Sequence, residues 1–82
     1  MNKLIDKEAM GRNFAAERKR LGLTQVQLAE KLGTNSKSVS QYEGGEYALP
    51  PEIANAMADL CGCTTDYLYA RSIERAPRAA VV

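Results

Sequence analysis

The hydrophobic positions recur at helical spacing, and small or polar residues cut them into short segments. Met10, Phe14 and Leu21 form one stripe, and Leu28, Ala29 and Leu32 a second. Val39 and Tyr42 form a third, Ile53, Met57, Leu60 and Cys61 a fourth, and Tyr67, Leu68 and Tyr69 a fifth. Recurrence at three, four and seven residues predicts amphipathic helices. Residues suited to helix ends fall between the stripes. Asp6 suits the cap of a first helix, with Glu8 favourable near its positive end, and Gly22 ends that helix just after Leu21. Thr24 and Gln27 stand at capping-box spacing. Gly33 closes the second helix and Asn35 caps the third. Pro51 suits the first turn of the fourth, which ends at Gly62. Thr64 caps a fifth helix, with Asp66 in its first turn; it can extend to about Arg75 before Pro77 stops it. The pattern is that of an all-α chain of five helices.

The stretch from Thr24 to Gly44 organises the rest. It reads as two short helices joined by a tight turn, with Ala29 where they would cross and a small side chain allows close approach. Ser36, Lys37, Ser40 and Gln41 give the third helix an outward face of hydrogen-bonding groups, opposite Val39 and Tyr42. This is a helix-turn-helix, whose second helix can enter the major groove of DNA. A polar outer face alone is what any surface helix shows. The Thr-Gln opening, Ala29, Gly33 and Val39 together carry the reading.

Those residues resemble the Cro and repressor family of phage and bacterial DNA-binding proteins, the lambda-repressor-like (XRE) domains. The matching positions are Leu23-Thr24-Gln25, Leu28-Ala29, Leu32-Gly33, Val39 and Glu43-x-Gly45. The likeness covers about residues 10 to 70. It implies a five-helix lambda-repressor-like domain with the helix-turn-helix at helices 2 and 3. It also implies a sequence-specific regulator, a small phage- or bacterial-type repressor that binds a palindromic operator in double-stranded DNA as a homodimer. Base contacts would then come from Ser36, Lys37 and Gln41: Gln41 can pair with adenine, Lys37 with guanine or a phosphate, and Ser36 with several bases. Gln25, Asn35 and Ser40 would hold the backbone, Gln25 with help from the exposed N–H groups of a helix start. In the family an Arg on helix 1 pairs with the Glu that ends the recognition helix, here Arg18 and Glu43. The residues alone leave Arg18 either paired or bent out to solvent. The family's last helix often forms the dimer contact, which points to Tyr67, Leu68 and, in the segment beyond, Ile73.

One departure stands out. Related domains often carry Lys or Arg in the loop after helix 3, whereas this chain has Glu46 and no basic residue there. Phosphate contact from the loop would fall to Tyr47, which either donates its hydroxyl to a phosphate or packs on the domain. Val26 is expected to be exposed on helix 2, where relatives more often carry a polar residue. Antitoxins and other interaction proteins use the same domain to bind a protein partner as well as DNA, and they form the alternative reading.

Length and composition narrow the choices. The 82 residues suffice for one small domain, expected over residues 6–72, with a flexible N-terminus at 1–5 and a C-terminal extension or tail at 73–82. The net charge of +1 is low for a nucleic-acid binder, so the placement of charge matters more than its sum. No apolar run approaches membrane-spanning length and no secretory signal is visible, so a cytoplasmic protein is expected. Histidine is absent, which removes His-based zinc sites and Ser-His-Asp or Cys-His catalysis. There are no paired carboxylates at a cleft-like spacing and no phosphate loop, so neither an enzyme nor a cofactor is expected. Cys61 and Cys63 form a Cys-x-Cys pair, and a closed four-ligand metal site would need donors from a second chain. Related domains usually carry Leu and Val at these positions, and the two cysteines are read as small buried hydrophobes without a metal.

Overall fold

The computed structural model describes residues 6–75. The expected flexible N-terminus at 1–5, Pro77 and the rest of the tail from residue 76 lie outside the described residues. Within them the chain forms helices α1 (Lys7–Arg20), α2 (Gln25–Leu32), α3 (Ser36–Glu43), α4 (Pro51–Cys61) and α5 (Thr65–Leu68).

Local chemistry sets most of the ends. The Asp6 carboxylate accepts the Ala9 N–H at 3.1 Å, and α1 carries Glu8 in its first turn and Arg18, Lys19 and Arg20 in its last, each sign at the helix end that favours it. A reciprocal capping box starts α2: Thr24 Oγ1 accepts the Gln27 N–H at 3.0 Å, and Gln27 Oε1 accepts the Thr24 N–H at 2.9 Å. Gly33, at φ 74°, turns the chain out of α2 in the left-handed conformation that glycine adopts most cheaply. Two residues later the Asn35 side chain accepts the Ser38 N–H at 2.8 Å and opens α3.

Phe14, Leu28, Val39, Met57 and Leu68 are fully buried, so every helix contributes one residue to the centre of the core. Phe14 and Tyr42 meet edge to face with ring centroids 5.9 Å apart, which ties α1 to α3. Two helix faces sit differently from the sequence reading. Leu21 is 38% exposed, and the buried side of α1 is Met10, Gly11, Phe14 and Glu17. On α4 the inward set is Ile53, Ala54, Met57 and Ala58, while Leu60 turns to the edge and Cys61 is half-buried. Both stripes had the right period but were centred one position away.

The fifth helix is shorter than expected and stops at Leu68, not near Arg75. Ala70 lies at φ 60°, and the Arg71 N–H reaches back to the Asp66 carbonyl at 2.8 Å, a pairing that closes a helix rather than continuing it. The chain then folds back, and the Thr64 N–H donates to the Arg75 carbonyl at 2.8 Å. Leu68, expected in a dimer seam, is wholly buried within the single chain. Its side chain is spent on the core and has no surface left for a second subunit.

Gly11 marks the closest approach between helices. A Cβ there would lie 2.5 Å from the Glu43 carbonyl oxygen and 2.6 Å from that of Tyr42, both backbone atoms at the end of α3. Helix propensity alone favours Ala over Gly by about 1 kcal/mol. Gly11→Ala is nevertheless expected to lower stability by about 1–3 kcal/mol, because α3 must move to make room. Urea denaturation of the two proteins checks this; a gain in stability would mean that the approach is not tight.

Candidate nucleic-acid interface

Helix α3 has two faces with different duties. Val39 is fully buried and Tyr42 packs against the core, while Lys37 and Ser40 are exposed and Ser36 and Gln41 lie half-exposed at their flanks. No acidic residue stands in its first turn. The four outward side chains offer hydroxyl, ammonium and amide groups, which are the groups that read base edges in a major groove. Asn35 spends its side-chain oxygen on the Ser38 N–H and keeps its amide N–H₂ for other acceptors.

The inner end of α3 is held by charge. Arg18 Nε and Nη2 donate to the two carboxylate oxygens of Glu43, the second at 3.1 Å, and Arg18 Nη1 donates to the Leu23 carbonyl at 2.8 Å. Gln25 Nε2 adds a bond to Glu43 Oε1 at 3.1 Å. Arg18 and Glu43 side chains are 14% and 10% exposed, so this is a partly buried pair and Arg18 does not bend out to solvent. The hydrogen bonds that Arg18 donates to Glu43 are the largest influence on the guanidinium and raise its pKa, against an opposing effect of burial. The cluster joins α1, the start of α2 and the end of α3 at one corner.

Gln25, Tyr47, Tyr67 and Ile73 complete the candidate residues, with Arg12, Lys31 and Val26 at the surface as well. Gln25 is half-buried and turned toward Glu43, with one amide proton and its carbonyl left over at the start of α2. Tyr47 is 55% exposed in the loop between α3 and α4, beside exposed Glu46. Arg12 and Lys31 are exposed cations. Val26 is exposed at 56% on α2. Tyr67 is half-buried, with its phenol pKa raised first by burial and then by Glu17 nearby, and Ile73 is 98% exposed. The Gln25–Glu43 link escaped the sequence reading, since nothing in the local pattern announces a contact across 18 residues.

Removing one partner of the Arg18–Glu43 pair strands the other in a site shielded from water. Arg18→Met is expected to cost on the order of 3 kcal/mol, and the double change Arg18→Met with Glu43→Leu to recover part of that loss. A double-mutant cycle by chemical denaturation measures it. Single changes of a few tenths of a kcal/mol would place the pair with exposed ones.

Comparison with known proteins places this geometry. The helix-turn-helix family profile matches residues 14–68. Among solved structures, the P22 c2 repressor protein in complex with a synthetic operator is similar at 30% identity and a TM-score of 0.71, covering 77% of this chain and 96% of that one. The restriction-modification controller protein C.AhdI from Aeromonas hydrophila shares the fold at 22% identity and a TM-score of 0.70, covering 78% of this chain and 97% of that one. The clp gene regulator ClgR from Corynebacterium glutamicum does so at 21% identity and a TM-score of 0.68, covering 80% of this chain and 86% of that one. With its five helices and its clamped recognition helix, the chain belongs to the helix-turn-helix family, as a DNA-binding regulatory domain of the Cro and repressor kind.

Proposed function

We propose that the protein is a small repressor that binds a palindromic operator in double-stranded DNA as a homodimer. The observation that carries the reading is α3 itself: a polar outward face of Ser36, Lys37, Ser40 and Gln41 on a helix whose inner end is fixed by Arg18 and Glu43. Similarity to a repressor bound to its synthetic operator supports the same arrangement. Ser36, Lys37 and Gln41 read bases, and Gln41 pairs with adenine through its amide. Gln25, Asn35, Ser40 and Tyr47 hold phosphates, drawing on the free N–H groups at the helix starts. Two-fold symmetry sets the recognition helices roughly 34 Å apart, one DNA turn. With Leu68 committed to the core, the seam falls to Tyr67 and Ile73. No helix among the described residues is long and apolar enough to cross a membrane.

The test selects bound fragments from random duplex DNA and measures the protein's association state at the same concentrations. A palindromic site is expected, with half-site centres about 10 base pairs apart or a small multiple of that. A non-palindromic site bound by a monomer would remove the dimer from the reading. Absence of any selected sequence would favour a protein partner, as in antitoxins.

On the selected site Gln41→Ala should cost about 1–3 kcal/mol, and much less on scrambled duplex. Gln25→Ala should weaken both by similar factors and leave the salt dependence nearly unchanged. Lys37→Ala discriminates two roles. A fall of about 0.9 in the salt slope with unchanged sequence preference marks a phosphate contact, and a relaxed preference at one position marks a base contact. Equal weakening of all duplexes by Gln41→Ala would show that α3 does not read bases through that residue.

A further inference from the structure

Glu17 is the one buried charged residue among the described residues, with its side chain 3% exposed. It lies on α1, one residue before Arg18 but facing another corner. Arg75 reaches it from 58 residues away, donating from Nη2 to Oε1 at 2.7 Å and from Nε to Oε2 at 3.2 Å. Arg20 Nε stands 3.6 Å from the same Oε1. Two thiols converge on this carboxylate. Gly62, at φ 67°, turns the chain between Cys61 and Cys63, and one donor atom from each of Glu17, Cys61 and Cys63 lies within 4.8 Å of the others. The sequence supplied two sulfur donors and no third; folding brings the third from α1.

We propose that Glu17, Cys61 and Cys63 form a binding site for a thiophilic divalent cation of the zinc type, with Arg75 as the group that releases Glu17 when the cation enters. The donor set selects the class of ion. Two thiolates and one carboxylate suit a four-coordinate soft or borderline cation with water as its fourth ligand, whereas calcium and magnesium require more oxygen donors. The spacing suits it as well. Tetrahedral bonds of about 2.3 Å to sulfur and about 2.1 Å to oxygen set ligand atoms roughly 3.5–3.8 Å apart, so the three donors need to close by at most about 1.3 Å. Charge also balances. Each thiol gives up its proton on binding; the resulting two thiolates and carboxylate exceed a divalent cation by one negative charge, which Arg20 and Arg75 can offset. Access runs along the half-buried side of Cys61 and past Arg75, whose side chain is 31% exposed.

The experiment titrates the reduced, metal-free full chain with cadmium(II) alone, following sulfur-to-metal charge-transfer absorption, and then displaces cadmium with zinc(II). One cadmium per chain is expected, with no change in association state and with both thiols protected from alkylation. Glu17→Gln should weaken binding by at least about tenfold, and Cys61→Ser with Cys63→Ser should abolish the absorption. Thiol protection in the unaltered chain keeps the test decisive if the cysteine variant does not fold. No charge-transfer absorption would overturn the site. A break at half an equivalent would mean a metal bridging two chains, and unchanged affinity in Glu17→Gln would leave a dithiol without the carboxylate; either result overturns the three-donor site. DNA binding by the metal-free chain is measured separately and does not depend on the outcome.

Discussion

The ion pair between Arg18 and Glu43 fixes where the recognition helix points. Three bonds from one guanidinium reach the Glu43 carboxylate and the Leu23 carbonyl, and Gln25 closes the fourth side. Taking two charges out of water costs much of what their attraction returns, so such a pair contributes little net stability beside a well-packed apolar substitute. Its geometry is strict, however. A fork of donors and a carboxylate meet well in few orientations, and α3 is held to one of them. Gly11 makes the arrangement possible, since its missing Cβ lets the α3 carbonyls lie against α1. Packing brings the helices close, and charge sets their register.

On the proposed reading, holding and reading fall on separate residues of α3. Val39 and Tyr42 take the core side, Glu43 takes the clamp, and Ser36, Lys37, Ser40 and Gln41 are left outward, their side chains making no hydrogen bond that orders the fold among the described residues. Substitutions on that face can therefore alter recognition with little effect on folding. The same separation makes the net charge of +1 less surprising. Glu43 and Glu17 are each paired with an arginine, so those four charges cancel in place and the sum says little about the outer face, where Lys37 is exposed. On the proposed reading, an outer face with few cations binds through helix N–H groups and uncharged side chains, which favours recognition by shape and hydrogen bonding over broad attraction.

Much of this was legible in the sequence because it is local. The capping box at Thr24 and Gln27, the Asn35 cap and the turn at Gly33 each involve residues within four positions of one another. The misplacements came where tertiary contacts decide. A helical stripe gives the period of the buried face but not its centre, so Met10 and Phe14 point as well to Glu17 as to Arg18, and Leu21 loses its place. The sequence offered no reason for α5 to stop at Leu68, because the stop depends on Ala70 in a left-handed conformation that alanine seldom takes. Leu68 looked available for a partner because its apolar character does not say which apolar surface it meets.

The two ionic corners share one turn of α1. Successive residues on a helix point about 100° apart, so Glu17 and Arg18 face different neighbours although they are adjacent in sequence. Arg18 looks to α3 and secures the reading helix; Glu17 looks to the end of α4 and receives Arg75 from the chain beyond α5. Each corner joins segments remote in sequence, 25 residues apart in one case and 58 in the other. A rearrangement around Glu17 therefore acts on the same helical turn that positions Arg18. Helix α1 is unbroken from Lys7 to Arg20 and carries both residues on one turn, so a shift at one side chain bears on the other. Its effect on α3 would be limited by the close backbone approach at Gly11, which leaves the two helices little room to slide.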